Sequence, residues 1–191
     1  WSQPLGYVLK LSENSRLYVG NYTFKERFLS FDFINNVIKN PQCLPYDEFN
    51  LPTYIIKSSM LNEYLPNYKG DLIKVLLILN TIMIFFSLIA MIYAFVNVRE
   101  KWIISFIMGS VWIVQEISFI YFNIKYPFGC TMDFRYIVTT LLTGTTFLCI
   151  TLDNIIKNKS VLWKKINFIF NSICLGFIIV SIVVYTLYLV K

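Results

Sequence analysis

The stretch LIKVLLILNTIMIFFSLIAMIYAFV, residues 72 to 96, decides the fold. Only Lys74, near its start, and Asn80 interrupt the apolar run. A helix rises 1.5 Å per residue, so roughly 20 apolar residues cross about 30 Å of hydrocarbon. A helix in a soluble core would carry a polar stripe at the helical period, and this run has none. Three further runs follow: Trp102 to Phe122, Tyr136 to Leu152 and Ile166 to Val190. Ile155 and Ile156 extend the third past Asp153. The expectation is an all-α membrane protein with spans at about 72–96, 102–122, 136–156 and 166–190. An irregular, partly helical segment over residues 1–71 precedes the four-helix region of residues 72–191.

Lysine and arginine set the expected orientation, because cytoplasmic turns carry an excess of them. The turn 97–101 holds Arg99 and Lys101, and the turn 157–165 holds Lys157, Lys159, Lys164 and Lys165. Two spans separate these turns, so they share a side, and the rule makes that side the cytoplasm. Residues 1–71, the 123–135 loop and the C-terminus are then extracytoplasmic, in a plasma (inner) membrane protein. The N-terminal segment is charge-balanced, with seven basic and seven acidic residues. The net charge of +6 therefore arises in the membrane half and reflects topology, with no nucleic-acid partner implied.

Within residues 1–71, Pro4, Gly6, Gly20, Pro41, Pro45, Pro52 and Pro66 punctuate short pieces. Ser30 to Ile38 reads as a short helix, with Phe31, Ile34 and Ile38 at helical spacing. Pro52 to Leu65 reads as a second, with proline at a helix-start position. Its apolar face is expected to lie flat, on the outer membrane surface or capping the bundle. The opening Trp1-Ser2-Gln3-Pro4 lacks the pattern of a secretory signal. An outer segment of this length needs a signal or earlier spans to cross the bilayer. The chain is therefore expected to be the C-terminal part of a larger polytopic protein.

The chain has no histidine, which removes histidine triads and the commonest zinc sites. No cofactor motif is present, and the residues are silent on a divalent metal. Cys43 and Cys130 both fall on the outer side, making them a candidate disulfide pair. Cys149 and Cys174 lie within spans and read as small packing residues. Glu116 is a carboxylate inside the second span, with Gln115 beside it on another face. Charge inside a bilayer is costly, so Glu116 is either a polar site facing a cavity or half of an ion pair, with Arg135 one available cation. The third span is rich in threonine, and Thr140 and Gly144 form a small-xxx-small pair suited to close helix approach.

The stretch Tyr126-Pro127-Phe128-Gly129-Cys130-Thr131-Met132-Asp133-Phe134-Arg135-Tyr136 resembles a loop-to-helix junction in bacterial multi-pass glycosyltransferases. These are protein-mannosyltransferase-like enzymes of the GT-C class that use sugars carried on polyprenyl phosphate. In that family a C-T/S-M-D/N-F-R-Y stretch precedes a late transmembrane helix. Gln3 to Val8, Tyr18-Val19-Gly20, Glu48-Phe49-Asn50 and Ile56 to Leu61 are similar to pieces of the family's last large outer loop. The likeness covers most of the chain up to the third span. Where family members often carry proline after the arginine-tyrosine, this chain reads Ile137-Val138-Thr139-Thr140.

The resemblance implies the C-terminal part of an enzyme that transfers sugar to an extracytoplasmic acceptor. Its catalytic carboxylate would lie in a first outer loop that this chain does not contain, so no catalytic residue is assigned here. Arg135 could then hold a lipid phosphate, with Asp133 or Glu116 orienting it. The structural alternative for Asp133 and Arg135 is a salt-bridged helix start. Two other readings stand beside the enzyme: a non-enzymatic membrane subunit or scaffold, and a transporter or flippase fragment. A single intramembrane carboxylate without an inverted repeat gives the latter thin support.

Overall fold

The structure is a computed structural model that describes residues 12–43, 48–61, 71–157 and 161–189. The fold is an all-α membrane fold. Among the described residues five α-helices organise it: α1 (Leu51–Ser58), α2 (Asp71–Asn97), α3 (Trp102–Lys125), α4 (Thr140–Lys157) and α5 (Val161–Leu189). Among the described residues no strand forms, and one isolated antiparallel bridge joins Tyr18 to Phe128.

Among the described residues three helical segments are long and apolar enough to cross a bilayer: Asp71–Asn97, Arg99–Lys125 and Lys164–Leu187. The third span expected from the sequence is broken. A 3-10 segment ending at Ile137 and helix α4 meet at a bend of 41°, and together they make the fourth candidate span. Most large side chains along these helices face outward, including Phe85, Ile92, Ile117, Leu142 and Ile178. That outward apolar surface is what a lipid solvent requires of its protein.

Contacts divide the chain into two compact units. One comprises Trp1–Gly70 with Glu116–Val138, the other Asp71–Gln115 with Thr139–Lys191. The N-terminal segment thus shares a unit with the last turns of α3 and the loop after it.

In the helical unit, α2 and α4 pack through Ala90, Ala94, Val98, Phe147 and Ile150. Small residues permit the approach: a Cβ added at Gly144 would lie 3.4 Å from the Ser87 side chain. The small-xxx-small reading of Thr140 and Gly144 therefore has a partner surface on α2. Thr151 Oγ1 donates to the Ala90 carbonyl at 3.1 Å, and Asn154 Nδ2 donates to Tyr93 Oη at 3.0 Å. Thr143, Thr145 and Thr146 donate to carbonyls three or four residues back in α4. Back-bonding hides each hydroxyl from lipid, which explains why a spanning helix tolerates so many threonines. Helix α5 meets α2 through the edge-to-face rings of Phe86 and Phe170, centroids 5.5 Å apart. Asp153 collects Lys101 at 2.6 Å and Lys157 at 3.1 Å, joining the α2–α3 turn to the end of α4.

In the other unit the local starts obey capping rules. Thr23 and Glu26 form a reciprocal box around the π-helical turn Lys25–Leu29. Glu26 Oε2 accepts from Thr23 N at 2.8 Å, and Thr23 Oγ1 accepts from Glu26 N at 3.3 Å. Asp32 caps the turn Phe33–Ile38 by accepting from Asn35 N at 3.0 Å. The helix expected over Ser30–Ile38 is therefore shorter and starts after Asp32. Asn50 caps α1, accepting from Thr53 N at 3.0 Å, and Pro52 occupies the first turn.

Helix α1 stops at Ser58, seven residues before the expected Leu65, of which residues 62–65 lie outside the described ones. Met60 and Leu61 fold back to the Lys57 carbonyl and close it. Its face is consumed inside the unit: Tyr54 and Lys57 are fully buried. Tyr54 packs with Cys43, Leu51, Phe119, Met132 and Ile137. Lys57 forms an ion pair with Glu48.

Burying an ammonium is tolerable only because Glu48 accompanies it. Lys57→Met alone is expected to destabilise the unit by about 3–5 kcal/mol, because it removes the cation that Glu48 faces. Lys57→Met combined with Glu48→Leu is expected to recover most of the loss. Thermal unfolding in detergent checks both, and equal melting of the single and double variants would refute the pairing energetics. A second expectation concerns acid. Hydrogen bonds from Thr23 hold the Glu26 carboxyl below its ordinary range, and the Asn35 amide does the same for Asp32. Depressed carboxyls stabilise the fold above their unfolded values and lose that contribution as pH falls through the native ones. Amide protection at Thr23 and Asn35 should fall on acidification, and Asp32→Asn should flatten the response at Asn35.

Candidate functional site

The residues around Asp133 start from a chain crossing. Val19 N donates to the Pro127 carbonyl at 2.8 Å, and Gly129 N donates to the Leu17 carbonyl at 2.7 Å. This pins the loop after α3 against residues 17–19. Tyr18 lies edge-on to Phe128 with ring centroids 5.6 Å apart. From Gly129 to Met132 the chain makes a buried 3-10 turn. The Thr131 hydroxyl lies 3.0 Å from Asn123 Oδ1, 2.8 Å from the Tyr126 carbonyl and 2.7 Å from the Phe128 carbonyl. Its single proton serves these acceptors in turn and fixes the loop whichever it chooses.

Asp133 is extended and caps the next 3-10 segment, Phe134–Ile137. One carboxylate oxygen accepts from Arg135 N at 2.9 Å, and the other meets Arg135 Nη2 at 2.9 Å. The carboxylate is therefore spent on both the backbone and the side chain of one residue. The Arg135 guanidinium also lies 6.0 Å from the Tyr136 ring centroid, within cation–π range. Phe134 N donates to Ser58 Oγ at 2.9 Å, which ties the end of α1 to the same turn. Arg135 keeps a third of its side chain exposed, whereas Asp133 is nearly covered. The pair thus presents a positioned, partly open guanidinium backed by a buried carboxylate. Such a group suits a phosphate or carboxylate ligand.

Glu116 stands apart from this pair. It is partly buried and shares a helix stripe with Ser105, Gly109, Phe119 and Asn123, all buried. Among the described residues it enters no ion pair, and Arg135 is engaged by Asp133. The proposed Glu116–Arg135 partnership is thus replaced by a local one, since a two-residue step into a 3-10 turn brings carboxylate and guanidinium together. Neighbouring Gln115 accepts from the Thr139 hydroxyl. Cys43 and Cys130 are two buried thiols with no bridge between them. Each fills a different apolar cluster: Cys43 beside Tyr54 and Met132, Cys130 beside Phe128 and Tyr18. Among the described residues no group of three acidic or cysteine side chains is arranged to hold a metal.

Several residues that shape the site were not singled out by the sequence. Arg27 donates through Nη2 to the Asn123 carbonyl at 2.7 Å, near the C-terminus of α3. A cation there meets the negative end of the helix dipole. Burial pushes its guanidinium below its ordinary value, with Tyr18 acting in the opposite direction. Phe28 lies 5.1 Å from the guanidinium and supplies a cation–π contact. Asn50 donates to the carbonyls of Glu26 and Ser30, both at 3.0 Å, while capping α1. Only the capping roles left a trace in sequence, as Thr23-x-x-Glu26 and as Asn50 ahead of Pro52. The Arg27–Asn123 contact joins residues 96 positions apart and has no local signature.

No protein-family model, no curated protein and no solved structure matches this chain.

Asp133→Ala removes both an N-cap acceptor and an ion-pair partner. Its expected cost is about 1–3 kcal/mol of stability. Asp133→Asn retains an acceptor for the Arg135 amide and should restore part of that. Denaturation midpoints in detergent discriminate, and wild-type stability of the alanine variant would mean that the turn does not depend on Asp133.

Proposed function

We propose that this chain forms the closing part of an integral-membrane glycosyltransferase that moves a sugar from a polyprenyl-phosphate carrier to an extracytoplasmic acceptor. The observation that carries the reading is the Asp133–Arg135 pair, which lies inside the stretch whose residues resemble that family. In this reading Arg135 receives the carrier's phosphate. Asp133 is a positioning residue: it holds Nη2 of a guanidinium that keeps a third of its side chain exposed. A carboxylate already engaged with a guanidinium is a poor proton acceptor, so Asp133 is not assigned as the base that activates the acceptor hydroxyl.

The topology in this reading follows the basic turns. Loops 97–101 and 157–165 are cytoplasmic, and residues 1–71 with the 123–135 loop face the other side. That arrangement puts Arg135 at the outer mouth of a span, at the depth of lipid phosphates. A guanidinium there meets its ligand without being carried into hydrocarbon, where a charge is costly. The bent entry to α4 supports the same assignment, since irregular backbone at membrane depth is tolerated where protein or a water-filled cavity surrounds it.

Arg135→Ala in the intact protein is expected to lower kcat/KM for the lipid-linked donor about ten- to a hundredfold, the worth of one charge-assisted contact. Arg135→Lys should recover only part, because a point charge does not reproduce the planar fork. The measurement is sugar transfer from a polyprenyl-phosphate donor in vesicles, normalised to the amount of folded protein. Unchanged transfer by the alanine variant would remove the phosphate role.

A further inference from the structure

The segment from Tyr22 to Ile34 breaks the usual rule for a polar outer segment. Phe24 is 58% exposed, Leu29 68% and Ile34 62%, and Tyr22 and Phe31 are exposed as well. Five large apolar side chains open to the surroundings within thirteen residues form an unusual surface for water. The two turns that carry them are nonetheless well built. Each is capped by its own carboxylate, and Asn50 ties their junction to α1 through the Ser30 carbonyl.

The same segment is fixed to a membrane-spanning helix. Arg27 binds the carbonyl of Asn123, two residues before Lys125 ends α3. Two residues of helix amount to about 3 Å, so the turn Lys25–Leu29 sits at the level of the last turn of α3. Phe28, in the middle of that turn, packs against the cluster that includes Phe119 of α3. The apolar turn thus lies against the last turns of α3, where Ile120, Tyr121 and Ile124 are exposed as well. Its charges suit the same neighbour. Glu26 and Asp32 are engaged in their caps, while Lys25 stands exposed among the apolar residues and Lys39 is turned back onto Asn35 by a hydrogen bond. Aromatic rings and lysines at a helix exit are the side chains that anchor at a lipid interface.

We infer that Phe24, Leu29, Phe31 and Ile34 form an interfacial foot that inserts into the outer boundary of the bilayer beside the end of α3. The foot holds the outer unit at a fixed height over the membrane, with Arg27 as its strut. The occupant is lipid, at the depth of the headgroup and upper acyl chains. The inference does not depend on the glycosyltransferase reading and holds for a scaffold or transporter equally.

Photocrosslinking in vesicles of phosphatidylcholine and phosphatidylglycerol tests it directly on the full chain. Benzoylphenylalanine is placed singly at Leu29, Ile34, Lys39 and Ile117, and adducts are read by intact mass. Ile117 is an exposed residue of a spanning helix and reports lipid contact in a folded, inserted chain. Lipid adducts at Leu29 and Ile34 should approach those at Ile117 and exceed those at Lys39 several-fold. Failure of either position to exceed Lys39 while Ile117 labels normally would overturn the foot. So would crosslinks from Leu29 or Ile34 that join two copies of the chain, since a protein partner would then cover the surface.

Discussion

The hydrocarbon core tolerates no unpaired backbone amide or carbonyl, and most of this architecture follows from that constraint. It makes the long apolar runs into helices whatever the propensity of their many isoleucines, valines and phenylalanines. It also makes Thr143, Thr145 and Thr146 spend their hydroxyls on their own helix. Where helicity is interrupted, side chains take over the accounting. At the bend before α4, Asp133 satisfies the Arg135 amide and Ser58 satisfies the Phe134 amide. The Thr139 hydroxyl finds Gln115 just beyond the break.

A second principle governs the unit built around α1: its buried polar groups sit mostly in sets of partners, with Arg27 Nε buried outside any hydrogen bond. Asn50 uses both ends of its amide, with Oδ1 on the start of α1 and Nδ2 on two carbonyls of the preceding segment. Lys57 is admitted with Glu48, and Arg27 with a helix terminus and an aromatic ring. These sets are costly to open one member at a time, because each remaining partner would be left buried and unsatisfied. They give a short-helix segment with modest aliphatic content a defined arrangement. That arrangement in turn holds the Asp133–Arg135 pair at a fixed place in the loop.

Legibility from sequence tracked the range of the interaction. The first span was readable almost to the residue, as Leu72 to Val96 against Asp71–Asn97. The third was not, because apolar composition continues through Tyr136 to Val138 while the backbone breaks there. Asn50 left only a faint trace in sequence, two residues ahead of the helix-starting Pro52. The ending of α1 at Ser58 was not visible, since it depends on Met60 and Leu61 turning back onto Lys57. Asp133 and Arg135 were singled out together from residue type and position. The sequence left open whether Arg135 would pair with Asp133 or with Glu116, and proximity within one 3-10 turn decided it.

By itself the sequence determined that this is a multi-pass helical membrane protein. Bilayer thickness and the cost of burying polar backbone act on composition and length alone. It also determined the short-range caps, whose donors and acceptors lie within four residues. Tertiary structure alone decided that Glu116–Val138 joins the N-terminal segment in one unit, and that Arg27 braces the end of α3. It likewise decided that Cys43 and Cys130 fill different clusters, and that Phe24, Leu29 and Ile34 stay uncovered. Each of these depends on contacts between distant parts of the chain, where geometry selects among many chemically equivalent partners.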